Sequence, residues 1–231
     1  MKNPVPLKYR FLKKYNGCPK QPKDWRDIKL GDIPFVADPN CPSWEQGYEV
    51  ETKIGKLKRD NQGSSLSCTE QATSKYGEAI NLVETGKLED FSGKGWYPLF
   101  KLKDGGAYIR DAISYAVDLG FPSEADIPSY MDGGKVPDET FMSSKVDTPE
   151  IRERAAVYKC KRYVFVDTSF PLTDEDWENV RQVIWQFNGF VSGYRRHCLY
   201  AVGFLMLNGK RTIHFANSYG EGSDLYYSEG D

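Results

Sequence analysis

The chain has 231 residues, 39% of them hydrophobic and 28% charged, with a formal net charge of -2 at pH 7. That is enough apolar material for one domain or for two half-size lobes around a shared core, and it excludes a disordered chain. The slightly negative balance argues against nucleic acid as a partner for the body of the protein. No apolar run approaches the ~20 residues needed to cross a bilayer, the longest being residues 201–207. Met1-Lys2-Asn3-Pro4 leads into no hydrophobic stretch of signal-peptide type, so a cytoplasmic or otherwise reducing compartment is expected. Five cysteines, Cys18, Cys41, Cys68, Cys160 and Cys198, form no repeating pattern. An odd count speaks against a disulfide framework, and without Cys-x-x-Cys or His-x-x-x-His spacing neither a metal nor another cofactor is expected.

Residues 1–44 are punctuated by prolines and, up to Lys29, carry Lys8, Arg10, Lys13, Lys14, Lys20, Lys23, Arg26 and Lys29 against Asp24 and Asp27. They read as a solvated arm. The alternative is an extension that packs over a cleft or docks a partner, anchored by Trp25, Ile28 or Phe35. Tyr48, Val50, Thr52 and Ile54 then alternate as a strand would. Next, Gln62-Gly63-Ser64-Ser65-Leu66-Ser67 forms a turn that delivers Cys68 to the first turn of an amphipathic helix. Ala72, Tyr76, Ala79, Ile80 and Val83 share one face of it, Glu70, Gln71, Lys75 and Glu78 fall largely on the other, and Gly86 ends it. Helix N–H groups and the positive end of the helix dipole favour a thiolate at Cys68. A cysteine so placed is either a packing residue or a nucleophile, and the rest of the chain must decide between them.

Residues 91–102 read as aromatic-rich loop or short helix. After Asp104-Gly105-Gly106, the positions Tyr108, Ile109, Ala112, Ile113, Ala116 and Val117 predict a second helix closed by Gly120. Residues 132–154 read as a polar excursion with one helical turn around Glu150, and Tyr158, Cys160, Arg162 and Val164 alternate as a strand. Thr173 caps a helix whose first turn holds Asp174, Glu175 and Asp176 and whose stripe is Trp177, Val180, Ile184 and Phe187, stopped by Gly189. Strands are expected over residues 190–194, 199–207 and 212–216, the last two joined by Asn208-Gly209.

One of the two histidines opens His197-Cys198-Leu199, and the last expected strand runs into Asn217-Ser218-Tyr219-Gly220. The order of Gln62, Cys68, His197 and Asn217 resembles the papain-like cysteine peptidases, and Asp104-Gly105-Gly106 is similar to that family's Asn-Gly-Gly segment. The resemblance covers residues 45–231. It implies an α+β, papain-like two-lobe fold, with a helical lobe over residues 45–130 carrying Cys68 and a β-rich lobe over residues 131–231 carrying His197 and Asn217. It also implies the roles: Cys68 as nucleophile, His197 as acid and base, resting as a thiolate–imidazolium pair, Asn217 orienting His197, and Gln62 in the oxyanion hole. Gly105 and Gly106 would pair with an extended peptide or protein substrate.

Departures qualify it. Ser65 and Lys103 stand where secreted members carry a bridged cysteine pair, Thr69 and Tyr219 replace tryptophans, and Leu66 replaces a glycine beside the substrate, where it narrows the cleft. His214 and the other cysteines match no family role and read as structural or free. Three functions follow: a cysteine peptidase, a papain-like fold kept as an inactive binding or structural module, and a processing peptidase of a viral or phage assembly docked through its basic arm.

Overall fold

The computed structural model describes residues 17–25, 27–103, 105–131, 134–135, 143, 145–166 and 171–231. Asp104, Arg26 and the middle of the polar excursion lie outside the described residues. Six helices are labelled in chain order: α1 (Val50–Ile54), α2 (Cys68–Thr85), α3 (Tyr97–Phe100), α4 (Ile109–Asp118), α5 (Pro149–Ala155) and α6 (Asp174–Phe187). The strands are β1 (Tyr48–Glu49), β2 (Tyr130–Met131), β3 (Gly134–Lys135), β4 (Phe190–Tyr194), β5 (His197–Leu207), β6 (Lys210–Ala216) and β7 (Leu225–Ser228). The fold is α+β, an antiparallel sheet with α2 packed on one face and α6 on the other.

The sheet runs β1-β5-β6-β7, and β4 also pairs with the start of β5, so β5 is its centre. Side chains of a strand alternate between faces. Cys198, Tyr200 and Val202 therefore pack toward α2, together with Leu57, Ala72 and Ala79. Leu199, Ala201 and Phe204 pack toward α6, against Trp44, Trp177 and Ile184. A register shift between Ala201 and Gly203 lets β5 change course without losing either set. A third cluster of Trp96, Tyr97, Phe100, Ala107 and Ala112 closes the helical side. Each large apolar side chain buried in this way contributes ~1.5–3 kcal/mol.

The helix that begins at Cys68 ends at Gly86, whose φ of 70° is the left-handed conformation that a glycine adopts without penalty. Its polar face, however, is not solvated. Glu70, Gln71, Lys75 and Glu78 are all buried, because α2 is walled by the sheet on one side and by residues 91–97 on the other. Each charge has a partner: Glu70 accepts from the Trp96 N–H, Glu78 from the Phe91 N–H, and Lys75 lies 2.7 Å from Glu78 and 3.1 Å from Asp60.

Two expected strands are corrected. Only Tyr48 and Glu49 pair with β5; Val50 then enters α1, where the Thr52 hydroxyl donates to the Glu49 carbonyl and Arg59 grips the Glu51 carboxylate. The alternation of Tyr48, Val50, Thr52 and Ile54 is thus carried by a short helix. Residues 159–164 form no strand, and after a 3-10 turn at Ala156–Tyr158 that stretch makes a single bridge, Phe165 with Lys29. The remaining expectations hold: α3, α4 and α5 form where composition placed them, α6 carries its Thr173–Asp176 capping box, and Asn208 (φ 51°) and Gly209 (φ 74°) turn the β5–β6 hairpin. Strand β7 is an addition that the sequence pattern did not disclose.

Candidate active site

Cys68 opens α2 and is completely buried. Its sulfur accepts from the backbone N–H groups of Thr69, of Cys68 itself and of Cys198, the residue after His197. The helix start and the start of β5 thus meet at one thiol. Burial pushes that thiol well up, against the pull of those N–H groups. His197 is likewise buried, which lowers its pKa despite the Asn217 hydrogen bond. While the site is covered, both shifts oppose the thiolate–imidazolium pair that the family resemblance implies.

His197 and Asn217 are joined by a 2.7 Å hydrogen bond between Nε2 and Oδ1, and Tyr219 stacks on the imidazole at 5.2 Å with 22° between the rings. Tyrosine therefore covers this hydrogen bond where the family resemblance expects tryptophan. Asn217 is itself held: its amide nitrogen donates to the Ser223 carbonyl, and its backbone N–H to Asp224. Asp224 in turn accepts from Arg59 and His214. Burial would raise the Asp224 carboxyl, but the hydrogen bonds and charges of His214 and Arg59 hold it well below the usual range. Burial likewise opposes the charge on His214, yet Asp224 and Glu49 hold it up at about 9. His214 is structural, as the sequence reading expected.

Gln62 is buried beside this group. Its side-chain amide donates to the Ser65 carbonyl at 2.7 Å and accepts from the Ser218 hydroxyl, while its backbone N–H donates to the Ser218 carbonyl. Ser218 also donates its N–H to Asn217 Oδ1, so Ser218 links Gln62 to the His197–Asn217 pair. An amide nitrogen carries two hydrogens, and Ser65 takes one of them. Across the cleft, the Leu66 side chain lies on Gly105: a Cβ there would sit 2.6 Å from Leu66 Cδ1.

The first described residues complete the site. Gly17 crosses directly over the Cys68 sulfur, so close that a Cβ on it would lie 2.8 Å from Sγ. The Ala107 N–H, just after Gly105-Gly106, donates to the Gly17 carbonyl at 3.0 Å. The Cys18 N–H donates at 2.9 Å to the carbonyl of Arg196, just before His197. Arg195 and Arg196 turn from β4 into β5 with φ of 48° and 67°, a conformation costly for such side chains, and this turn presents that carbonyl. The segment is thus pinned on both sides of the Cys68 sulfur, to Ala107 and to Arg196. Of the basic arm, residues 1–16 lie outside the described residues, and Gly17 and Cys18 lie against the Cys68 sulfur and the start of β5. Of its expected anchors, Phe35 stacks on Phe187 at 6.1 Å, whereas Trp25 is 92% exposed and Ile28 43% exposed. Gly17, Cys18 and the Arg110–Asp27 ion pair hold it as well.

Hydrogen bonds join Gln62, Ser218, Asn217 and His197, Cys68 lies against Cys198, the residue after His197, and Leu66 lies on Gly105. Sequence reasoning missed Gly17, Cys18, Ser218, Ser223 and Asp224. Gly17-Cys18, the first glycine of the chain followed by a small side chain, was the one available signal. No group of three or more His, Cys, Asp or Glu side chains able to hold a metal ion occurs among the described residues. No helix among them is long and apolar enough to cross a membrane.

No family model and no curated protein matches the chain. Solved structures do. Xylellain, a cysteine protease from Xylella fastidiosa, superposes with a TM-score of 0.66 at 18% identity, over 93% of this chain and 88% of that one. A digestive procathepsin L 3 from the larval midgut of Tenebrio molitor gives 0.65 at 16% identity, over 96% and 74%. A procathepsin B from Trypanosoma congolense gives 0.60 at 14% identity, over 95% and 82%. The chain has the papain-like cysteine protease fold.

Proposed function

We propose that the protein is a cysteine peptidase with Cys68 as nucleophile, and that its own Gly17-Cys18 segment must move aside before a substrate enters. The observation that supports this most is the meeting of a helix-start thiol with the start of β5, the strand opened by a buried, ring-covered histidine bonded to Asn217. Once Gly17 leaves, water reaches the site and the burial that holds Cys68 and His197 neutral is relieved. The proton then passes from Cys68 to Nδ1 of His197, since Nε2 is engaged by Asn217.

The thiolate adds to the scissile carbonyl carbon, and the oxyanion takes hydrogen bonds from the Cys68 backbone N–H and from the Gln62 amide. One such donor is worth ~2.7–4 kcal/mol of transition-state stabilisation. His197 gives its proton to the departing amine, leaving a thioester at Cys68. It next takes a proton from the water that hydrolyses this thioester, which restores the thiolate–imidazolium pair. An extended peptide pairs with the backbone beside Gly105 and Gly106, taking over the Ala107 N–H that Gly17 holds, and Leu66 limits the side chains that fit there.

A panel of fluorogenic peptides given to the full chain, and to a Gly17→Ala form in which the segment is crowded off the sulfur, tests the reading. Hydrolysis should fall about 10⁴-fold or more in either background when Cys68 becomes alanine. Hydrolysis indifferent to Cys68→Ala, or none in any form, would refute a peptidase and leave a papain-like binding module whose cleft is filled by its own chain.

A further inference from the structure

The segment over Cys68 also brings a second thiol to the cleft, and a third is already there. Cys18, Cys68 and Cys198 share one buried cluster. Gly193 and Cys198 are direct partners across β4 and β5, so their side-chain positions lie on the same face of the sheet. Gly193 has no side chain, and the Cys18 sulfur takes that place: a Cβ on Gly193 would lie 3.3 Å from it. The thiols of Cys18 and Cys198 are near enough there to act on each other's ionisation. While the segment is in place, the Cys18 backbone is tied to Arg196, two residues before Cys198.

From this geometry we infer that Cys18 and Cys198 are a dithiol that oxidises to a disulfide, locking the Gly17-Cys18 segment over Cys68. The inference takes its consequence, control of the nucleophile, from the peptidase reading above; the disulfide itself stands apart from it. The two thiols are unequal. Cys198 lowers the pKa of Cys18 against the effect of burial, whereas burial drives that of Cys198 up. Cys18 is therefore the attacking thiolate.

The oxidant is a low-molecular-weight disulfide such as oxidised glutathione. The Cys18 thiolate attacks one of its sulfurs, the bond between the two glutathione sulfurs breaks, and one glutathione leaves and takes up a proton. Cys198 then loses its proton to solvent and attacks the Cys18 sulfur of the mixed disulfide, expelling the second glutathione. Two protein thiols are oxidised and one glutathione disulfide is reduced to two thiols. Cys41, beside Arg181, and Cys160, in the cluster with Phe91 and Phe121, lie elsewhere and take no part.

The full chain is incubated with oxidised glutathione, freed of it, and mapped under non-reducing conditions. The expected product is a Cys18 peptide joined to a Cys198 peptide and released by dithiothreitol. In that oxidised protein Cys68 should react with iodoacetamide about tenfold or more slowly than in the reduced protein, since the cross-link removes the opened state. Cys18→Ala should show no such oxidant-dependent slowing; Cys18→Ser serves in its place if the alanine form does not fold. Glutathione left on Cys18 without a cross-link, a link from Cys18 to Cys68, or unchanged Cys68 reactivity after oxidation would each overturn the inference. Equal slowing in the wild type and in Cys18→Ala would do so too. Because these readouts are peptide mapping and alkylation, an absence of hydrolysis would sink the peptidase reading without touching them.

Discussion

Alanine at position 17 puts a methyl carbon 2.8 Å from the Cys68 sulfur, against the ~3.5–4.0 Å at which non-bonded carbon atoms attract. The other near neighbours of that carbon, the carbonyl oxygens of Leu66 at 3.6 Å and Arg196 at 3.8 Å, are at ordinary contact distance, so the clash falls on the sulfur. Neither party yields easily, since Cys68 is fully buried at the start of a helix walled on both sides. Overpacking of this size costs about 1–3 kcal/mol. The cheapest relief is for the segment to lift, which gives up two backbone hydrogen bonds and the burial of Cys18. With tenfold per 1.4 kcal/mol, the lifted population rises about 5- to 150-fold if the whole cost falls on the closed state. When closing is faster than alkylation, the rate at which iodoacetamide modifies Cys68 tracks that population. Gly17→Ala should therefore raise the Cys68 rate by such a factor, while half-buried Cys41, remote from the cleft, reacts as before. A Cys68 rate equal to or below that of the unaltered protein, with Cys41 unchanged, would show that Gly17 does not cover the sulfur.

His214 has a folded pKa raised to about 9 from its ordinary 6.5, so the stability it contributes is fully present below pH 6.5 and is lost as pH rises toward 9. The contribution is on the order of 2–3 kcal/mol. In urea titrations at pH 6.5 and 9.5, His214→Gln should remove that part of the slope; parallel profiles for the two proteins would contradict the Glu49–His214–Asp224 arrangement. Glu70 and Glu78, both pushed up to about 8 by burial, destabilise as pH climbs from 4.5 to 8, and they do so equally in both proteins. Lys75→Met leaves Asp60 and Glu78 buried without their cation and should cost about 3–5 kcal/mol, partly recovered by adding Asp60→Asn and Glu78→Gln. A loss below about 1 kcal/mol by the same denaturation assay would mean that water screens this cluster.

What could be read from the sequence was whatever has a local physical code. A glycine that ends α2, a threonine and an aspartate that satisfy the first N–H groups of α6, and an Asn-Gly pair that turns a hairpin all act within a few residues. The candidate catalytic residues were legible because the order of Gln62, Cys68, His197 and Asn217 with their neighbours is itself a pattern. The misses are decided by distant partners. Arg59 reaches Glu51 on one side and Asp224 on the other, bending residues 50–54 into a helix. Four residues of β7 after two turn glycines are too short a signal for alternation. The charged face of α2 looks solvated until the Trp96 and Phe91 N–H groups and Asp60 arrive from other loops. Composition marked the arm as basic and loose; backbone hydrogen bonds to Ala107 and Arg196 hold it in the cleft, and these carry no side-chain signature.

The Asn217 anchorage has a consequence for the order of events during synthesis. The ribosome delivers the chain N-terminus first, at about 5–20 residues per second. Gly17 and Cys18 emerge first, Cys68 next, and the two groups that fix Asn217, Ser223 and Asp224, come after every other member of the site. The groups that hold the cover, Ala107 and Arg196, are likewise made before Ser223 and Asp224, so every contact of the cover is in hand before Asn217 can be fixed.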